Sequence, residues 1–281
     1  MTGSHGFVGT NLVEAFESSY QIIRWNVRED KPLPECDVVI HLAGLAHDTK
    51  HTTESEKYFS VNTDLTKKMY ERFLASSAKK FIFFSSIKAQ DGNTAYARSK
   101  KAAEDYILKK FRDESLRYST KKVYILRPCM IHGPGNKGNL NLLVKWVRKG
   151  LPWPLADFDN KRSFASMGNV SYIVDRLLCS EVKSGTYNIC DDETVSTNEL
   201  TELICECLGK KAHLWRIPKG LMSGLARLGD VFQLPLNTER LGKLTENCIV
   251  DNSKIKHALG IEALPIIARE GLIQTIQSML K

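Results

Sequence analysis

The chain opens on Met1-Thr2-Gly3-Ser4-His5-Gly6-Phe7-Val8-Gly9, followed by the apolar run Leu12-Val13-Glu14-Ala15-Phe16. Three glycines three residues apart ahead of a helix-like pattern predict a phosphate-binding turn. Gly3 allows the tight turn, Gly6 a close approach of backbone to a pyrophosphate, and Gly9 close helix packing. The helix that follows offers free N–H groups and a partial positive charge to an anion. Such a turn belongs between a strand and a helix, and the strand is missing here, since the chain starts at the turn.

The remaining pattern is that of an α/β protein. Tyr20–Trp25, Asp37–Leu42, Phe81–Ser85 and Val123–Leu126 read as short buried strands rich in β-branched and aromatic residues. Helices are expected at about 9–18, 54–77 and 95–114 between them. This alternation predicts a Rossmann-like parallel sheet with helices on both faces, and ligands beyond the carboxyl ends of its strands. After Pro134 the texture changes. Loops surround a helix at about 139–149, Gly185–Cys190 reads as one more strand, and Ser196-Thr197-Asn198-Glu199 forms a capping box for a helix at 197–208. Helices near 218–228, 237–244, 252–259 and 266–280 follow. Residues 1–134 with about 165–190 are therefore expected to form a dinucleotide-binding lobe, and 135–164 with 191–281 a smaller, mostly helical substrate lobe.

The 281 residues carry a net charge of +8, but the cations come as doublets such as Lys79-Lys80 and Lys121-Lys122 at element ends. This pattern favours a solvated surface with some attraction for a phosphorylated small molecule over a nucleic-acid partner. No stretch has the length and apolarity of a membrane span and no signal-peptide pattern starts the chain, so the expected location is the cytoplasm. The seven scattered cysteines read as buried free thiols, and no metal site is expected.

Chemistry-bearing residues appear where the sheet should expose them. Tyr96-Ala97-Arg98-Ser99-Lys100 puts a phenol and an ammonium one turn apart on one helical face. The ammonium is expected to lower the phenol pKa, making Tyr96 a general acid or base. Ser85-Ser86 ends a predicted strand, where a hydroxyl could hydrogen-bond the oxygen that Tyr96 serves.

TGxxGFVG, Asp37-Val38-Val39-Ile40-His41-Leu42-Ala43-Gly44, Val61-Asn62, Phe83-Phe84-Ser85-Ser86, YxxxK and Leu126-Arg127-Pro128 with Gly133-Pro134-Gly135 occur in this order. In this the chain resembles the extended short-chain dehydrogenase/reductases, the nucleotide-sugar epimerase and reductase family, over nearly its whole length. The resemblance implies NAD(P) on Gly3, Gly6, Phe7, Val8, Gly9, Leu42, Ala43, Gly44, Asn62, Tyr96 and Lys100. It makes Ser86, Tyr96 and Lys100 catalytic. Arg162, Asn139 and Arg240 fall at sugar-nucleotide contact positions, and Lys88 is a further candidate substrate contact. Asn26 and Arg28 after the predicted strand Tyr20–Trp25, which stands second in the family's order, with Glu29 and Asp30 just beyond, tilt cofactor choice toward NADP(H).

Ser86 is followed by Ile87 and Lys88, where the family's dehydratases carry an acidic pair. The expected chemistry is therefore hydride transfer at C4 of a nucleoside-diphosphate sugar, as a 4-epimerase or 4-keto reductase. Most similar is the branch acting on UDP-N-acetyl sugars in bacterial surface-polysaccharide synthesis. A catalytically inactive NAD(P)-binding sensor is the alternative, and a helix-mediated homodimer the family-level expectation. Three segments depart from the family pattern. They are the first strand, for which an upstream start is expected, the short link Glu29–Cys36, and the nine residues between Ser86 and Tyr96. Met130 and His132 replace the usual Asn and Tyr.

Overall fold

A computed structural model describes residues 1–29, 31–46, 54–90, 92–114, 120–136, 138–234 and 236–280. The chain divides into two compact units. Unit 1 comprises Met1–Cys129, Met167–Cys190 and Asp251–Pro265, and unit 2 comprises Met130–Ser166, Asp191–Val250 and Ile266–Lys281.

Unit 1 is built on four parallel strands, β1 (Val38–His41), β2 (Lys80–Phe84), β3 (Lys122–Pro128) and β6 (Gly185–Ile189), in the order β1-β2-β3-β6. Their registers run Val38 opposite Lys80, Lys80 opposite Lys122, and Tyr124 opposite Gly185. Parallel neighbours need crossovers. Here α2 (Ser55–Tyr58) and α3 (Leu65–Ala75) lie between β1 and β2, α4 (Ala95–Asp113) between β2 and β3, and α6 (Met167–Cys179) ahead of β6. All five residues of β2 are buried, as expected of a strand covered on both faces. The core on one face joins Tyr70, Phe73, Phe81, Phe83, Ile107 and Ile125. With α1 (Phe7–Phe16), this is the Rossmann-like α/β arrangement expected from the strand–helix alternation.

Three local expectations need correction. Tyr20–Trp25 is not a strand. Its only described ladder contacts are with Met1, whose amino group donates to the Ile23 carbonyl at 2.7 Å and whose carbonyl accepts from Trp25 N–H at 2.9 Å. Thr2 bridges His41 on the other side, and an apolar groove of about 350 Å³ separates residues 20–25 from 33–40. A segment facing a groove has no neighbour to complete a ladder. Second, the expected helix at 54–77 is interrupted by a π-helical stretch, Phe59–Asp64. Third, two lysines of the doublets are not solvated. Lys80 donates to the carbonyls of Leu177, Leu178 and Ser180 at the end of α6, and Lys121 to those of Phe73, Ser76 and Ala78 at the end of α3. Each ammonium satisfies orphan carbonyls at the negative end of a helix dipole.

Unit 2 holds a three-stranded sheet of β4 (Met130–His132), β5 (Arg162–Ser166) and β7 (Thr194–Val195), β4 parallel and β7 antiparallel to β5. Helices α5 (Asn139–Arg148), α7 (Thr197–Cys207) and α11 (Ala268–Leu280) close one core around Phe164, Leu203, Ile204 and Leu272. A second cluster packs α8 (Lys219–Phe232) and α9 (Thr238–Thr245) on Trp153, Leu155 and Ala156. The capping box formed as expected: Ser196 Oγ accepts from Glu199 N–H at 3.0 Å, and Glu199 Oε2 from Ser196 N–H at 2.6 Å. Residues 251–265, read from sequence as part of the substrate lobe, cluster with unit 1. There Asn252 donates to the Cys190 carbonyl and Lys254 to the Thr186 carbonyl, and α10 (Ser253–Leu259) packs on β6.

Candidate active site

In unit 1 the glycine turn, the end of β1 and the end of β2 lie at one edge of the sheet. Gly3 takes φ +68°, and a Cβ there would stand 2.7 Å from Ala43 N, so only glycine fits both the backbone and the neighbour. A Cβ on Gly9 would lie 2.2 Å from the Gly3 carbonyl oxygen, which fixes how closely α1 sits over the turn. Gly6 is the N-cap of α1, with no capping side chain and no acidic residue in the first turn. The positive end of α1, starting at Phe7 and Val8, is thus left to an external anion. A pyrophosphate fits this cradle.

Beneath the turn, His41 is fully buried. Its ring nitrogens meet Thr2 Oγ1 at 2.7 Å and Thr66 Oγ1 at 3.0 Å, and Thr66 Oγ1 donates to the Asn62 carbonyl. Burial, with the Lys100 charge second, pushes the imidazole pKa down to about 3, so it is neutral and joins the turn to the helices behind it. Asn62 is placed by the π-helical stretch. Its Oδ1 accepts from Leu45 N–H at 2.7 Å, and its Nδ2 donates to the Leu45 carbonyl and to Ser99 Oγ, each at 3.0 Å. The Asn62 amide therefore clamps the segment after Leu42-Ala43-Gly44 onto α4. A Cβ on Gly44 would meet Asn62 Oδ1 at 3.0 Å and Lys100 Nζ at 3.1 Å.

Ser85 and Ser86 point apart, as successive residues of extended backbone must. Ser85 Oγ donates to buried Glu104 at 2.5 Å, and Glu104 holds Arg127 through Nε at 2.9 Å and Nη2 at 2.5 Å. Ser86 instead lies beside the Tyr96 phenol, where its hydroxyl favours the phenolate. Thr94 caps α4 by accepting from Ala97 N–H at 3.1 Å, so Tyr96 and Lys100 start the helix and share its inward face. Tyr58 packs edge-on against Tyr96 at 6.1 Å. Lys100 donates to the Phe84 carbonyl at 2.8 Å and lies 4.9 Å from the Phe83 ring centre.

The expected effect of Lys100 on Tyr96 does not hold in this arrangement. Burial raises the Tyr96 pKa above its ordinary value, Ser86 opposes this, and the Tyr58 hydroxyl adds to it. The ammonium is turned to the Phe84 carbonyl, and its own pKa is pushed down to about 8 by burial, against the pull of Glu104.

Other candidates are less concentrated. Arg28 is exposed, its N–H bonded to Asn26 Oδ1, while Glu29 pairs with Lys31 at 2.9 Å; Asp30 lies outside the described residues. Lys88 is exposed, its N–H directed at Ser86 Oγ at 3.3 Å. The rest belong to unit 2. Arg162 donates from Nη1 to the Lys243 carbonyl at 2.7 Å, and its buried Nε has no hydrogen-bond partner. Arg240 is exposed on α9, its N–H held by Asn237. Asn139 begins α5, and its side chain lies outside the described residues. His132 is buried in unit 2, with Nδ1 2.9 Å from Thr275 Oγ1 and Nε2 3.4 Å from Asp191.

Sequence reasoning missed Glu104 as the common partner of Ser85 and Arg127. The available signal was a carboxylate four residues after Lys100, on the same helical face.

Comparison with known proteins gives the family. The model of the NAD dependent epimerase/dehydratase family matches residues 1–190. The chain is 30% identical to a UDP-glucose 4-epimerase of Vibrio cholerae, covering 100% of this chain and 95% of that one. It is 24% identical to N-acetyl-alpha-D-glucosaminyl-diphospho-ditrans,octacis-undecaprenol 4-epimerase of Escherichia coli O157:H7, over 99% and 93%. Among solved structures, UDP-N-acetylglucosamine 4-epimerase from Bacillus cereus shares the fold with a TM-score of 0.74 at 18% identity, over 100% of this chain and 98% of that one. With a family model spanning its first 190 residues and a relative matched along its whole length, this chain belongs to the NAD-dependent epimerase/dehydratase family.

Proposed function

We propose that the protein is a nicotinamide-dependent 4-epimerase of a nucleoside-diphosphate sugar. The observation that carries the reading is the Ser86–Tyr96 hydroxyl pair beside buried Lys100, at the edge of the sheet that holds the glycine cradle. Gly3, Gly6 and Gly9 would leave room for the pyrophosphate, and the first turn of α1 would bind it. Lys100 would hold the nicotinamide ribose, with Leu42, Ala43 and Gly44 along the same wall. When bound, the nicotinamide supplies reversible hydride acceptance at a ring carbon.

The chain's own residues handle the proton. The phenolate form of Tyr96 would accept it from the sugar 4-hydroxyl as the ketone forms, and the phenol would return it to the same oxygen in the opposite configuration. Ser86, beside the phenol, offsets the burial that holds its pKa up. Ser86 also orients the sugar oxygen. Asn62 and the Ser85–Glu104–Arg127 network keep these groups in place without touching the substrate. In unit 2, the orphan Nε of Arg162 suits a diphosphate, which a guanidinium chelates in bidentate fashion. Arg240, Asn139 and Lys88 are further candidate contacts. Arg28, with no carboxylate at position 26, supports NADP(H) over NAD. A uridine nucleotide agrees with the relatives' names, and surface-polysaccharide precursor synthesis is the proposed setting.

The test is incubation of the purified protein with UDP-glucose and with UDP-N-acetylglucosamine, each with NAD⁺ and with NADP⁺. The expected result is the C4 epimer of one substrate, with no net change in reduced cofactor. Stoichiometric oxidation of NADPH by a 4-keto sugar would replace this reading with a reductase. Nicotinamide binding without conversion of any sugar would replace it with a sensor.

A further inference from the structure

Lys100 and Glu104 stand one turn apart on the inward face of α4, and both are buried, at 4% and 0% exposure. They grip consecutive residues at the end of β2. Lys100 donates to the Phe84 carbonyl at 2.8 Å, and Glu104 accepts from Ser85 Oγ at 2.5 Å. The next residue is Ser86, which lies beside Tyr96. On its other side Glu104 meets Arg127 of β3, through Nε at 2.9 Å and Nη2 at 2.5 Å. Two cations therefore converge on one carboxylate.

No other group around Lys100 supplies a negative charge. Among the described residues of unit 1, Glu104 is the one buried Asp or Glu. Tyr96, on the same helix, is a phenol whose proton is held by burial. His41 of β1 stacks on the Phe83 ring that Lys100 also touches, and it is neutral. Asn62, which like Lys100 crowds Gly44, is an amide. A buried ammonium without a counter-charge sheds its proton.

We propose that Glu104 is a positioning residue of the active site: its carboxylate is the counter-charge that Arg127 and Lys100 share, and it keeps Lys100 an ammonium able to hold a ribose hydroxyl. The role of the ammonium rests on the cofactor reading above, but its charge is measurable without cofactor. Burial pushes the Lys100 pKa down to about 8, and Glu104 opposes that push. A guanidinium does not give up its proton, so loss of the carboxylate falls on Lys100. The site thus has an alkaline limit, which Glu104 holds above neutrality.

The test follows Lys100 by ¹³C NMR in the full chain labelled at lysine Cε, its signal being the one lost in Lys100→Met. In the parent it should titrate at about pH 8. Glu104→Gln, which keeps an acceptor for Ser85, should lower the midpoint by about one unit or more. Arg127→Gln removes the competing cation and should raise it, whereas loosened packing would shift both variants the same way. An unmoved or raised midpoint in Glu104→Gln would overturn the proposal, and so would a fall in Arg127→Gln. Circular dichroism establishes that each variant folds. Should Glu104→Gln fail to, Arg127→Gln decides alone, a rise supporting the proposal and its absence overturning it. The alkaline limb of nicotinamide binding should move with the Lys100 midpoint. A midpoint that falls in Glu104→Gln while binding keeps the pH profile of the parent would uphold the charge assignment and overturn the cofactor reading of Lys100.

Discussion

The two units use their apolar residues in opposite ways. In unit 1, β2 is buried along its whole length, and its buried polar groups are largely paired: Ser85 with Glu104, Glu104 with Arg127, His41 with Thr2 and Thr66. In unit 2, Leu221, Leu225, Leu228 and Phe232 of α8, with Leu142, Trp146 and Trp215, lie open, and every strongly exposed large hydrophobic among the described residues belongs to this unit. The contrast separates a part organised around its own chemistry from a part with apolar surface to spare. A site that must hold a proton in one place needs its polar atoms locked.

Substitutions can break or sharpen this contrast. The largest expected effect is on unit 1 chemistry: Tyr96→Phe should lower turnover by about 10²–10⁴-fold, the range for loss of a general acid–base. Its thermal unfolding should stay close to that of the parent. Next is Glu104→Ala, which leaves the Arg127 guanidinium without its buried partner. Removing one member of such a pair costs about 3–5 kcal/mol, and urea unfolding should show it.

A smaller cost is expected in unit 2. A Cβ at Gly229 would stand 1.7 Å from the Leu236 carbonyl oxygen. Gly229→Ala should therefore push α8 from the 236–237 turn at a cost of about 1–3 kcal/mol, read by the same unfolding experiment. Conversion of the sugar is measured alongside to see whether the damage stays within unit 2.

A further effect, of about 2 kcal/mol between pH 7 and 5, is one of pH. The pKa of His41 is depressed from 6.5 to about 3 in the folded chain, so the unfolded chain takes up the proton first on acidification. The contribution of His41 is whole above pH 6.5 and falls by about 1.4 kcal/mol per unit below it, down to about pH 3. Unfolding free energies at pH 7 and 5 should differ by correspondingly less in His41→Gln.

Much of unit 1 was legible because its signals are local. The glycine spacing, the apolar run Phe81–Phe84 of β2 and the YxxxK pair each mark an element within a few residues. What was not legible depends on distant partners. Tyr20–Trp25 has strand composition, yet a strand exists only where another completes its ladder. Lys80 and Lys121 read as surface cations because nothing in their neighbourhood shows that they will end against the carbonyls of α6 and α3. The YxxxK spacing brought Tyr96 and Lys100 to one face but did not reveal that the ammonium would turn to the Phe84 carbonyl. In unit 2 the capping box was readable for the same local reason. The short strands β4, β5 and β7 were not, since two to five residues carry too little pattern. The exposed face of α8 reads in sequence like a core face, and only packing distinguishes the two.

The central claim is that Tyr96 and Ser86 serve an oxygen while hydride leaves and returns to the same ring carbon. The most direct test is to run the C4 inversion in D₂O and follow the sugar C4 proton by NMR. Hydride return within the site predicts that the epimer keeps protium at C4, at a rate that collapses in Tyr96→Phe. An epimer carrying solvent deuterium at C4, or a Tyr96→Phe protein as fast as its parent, would contradict it.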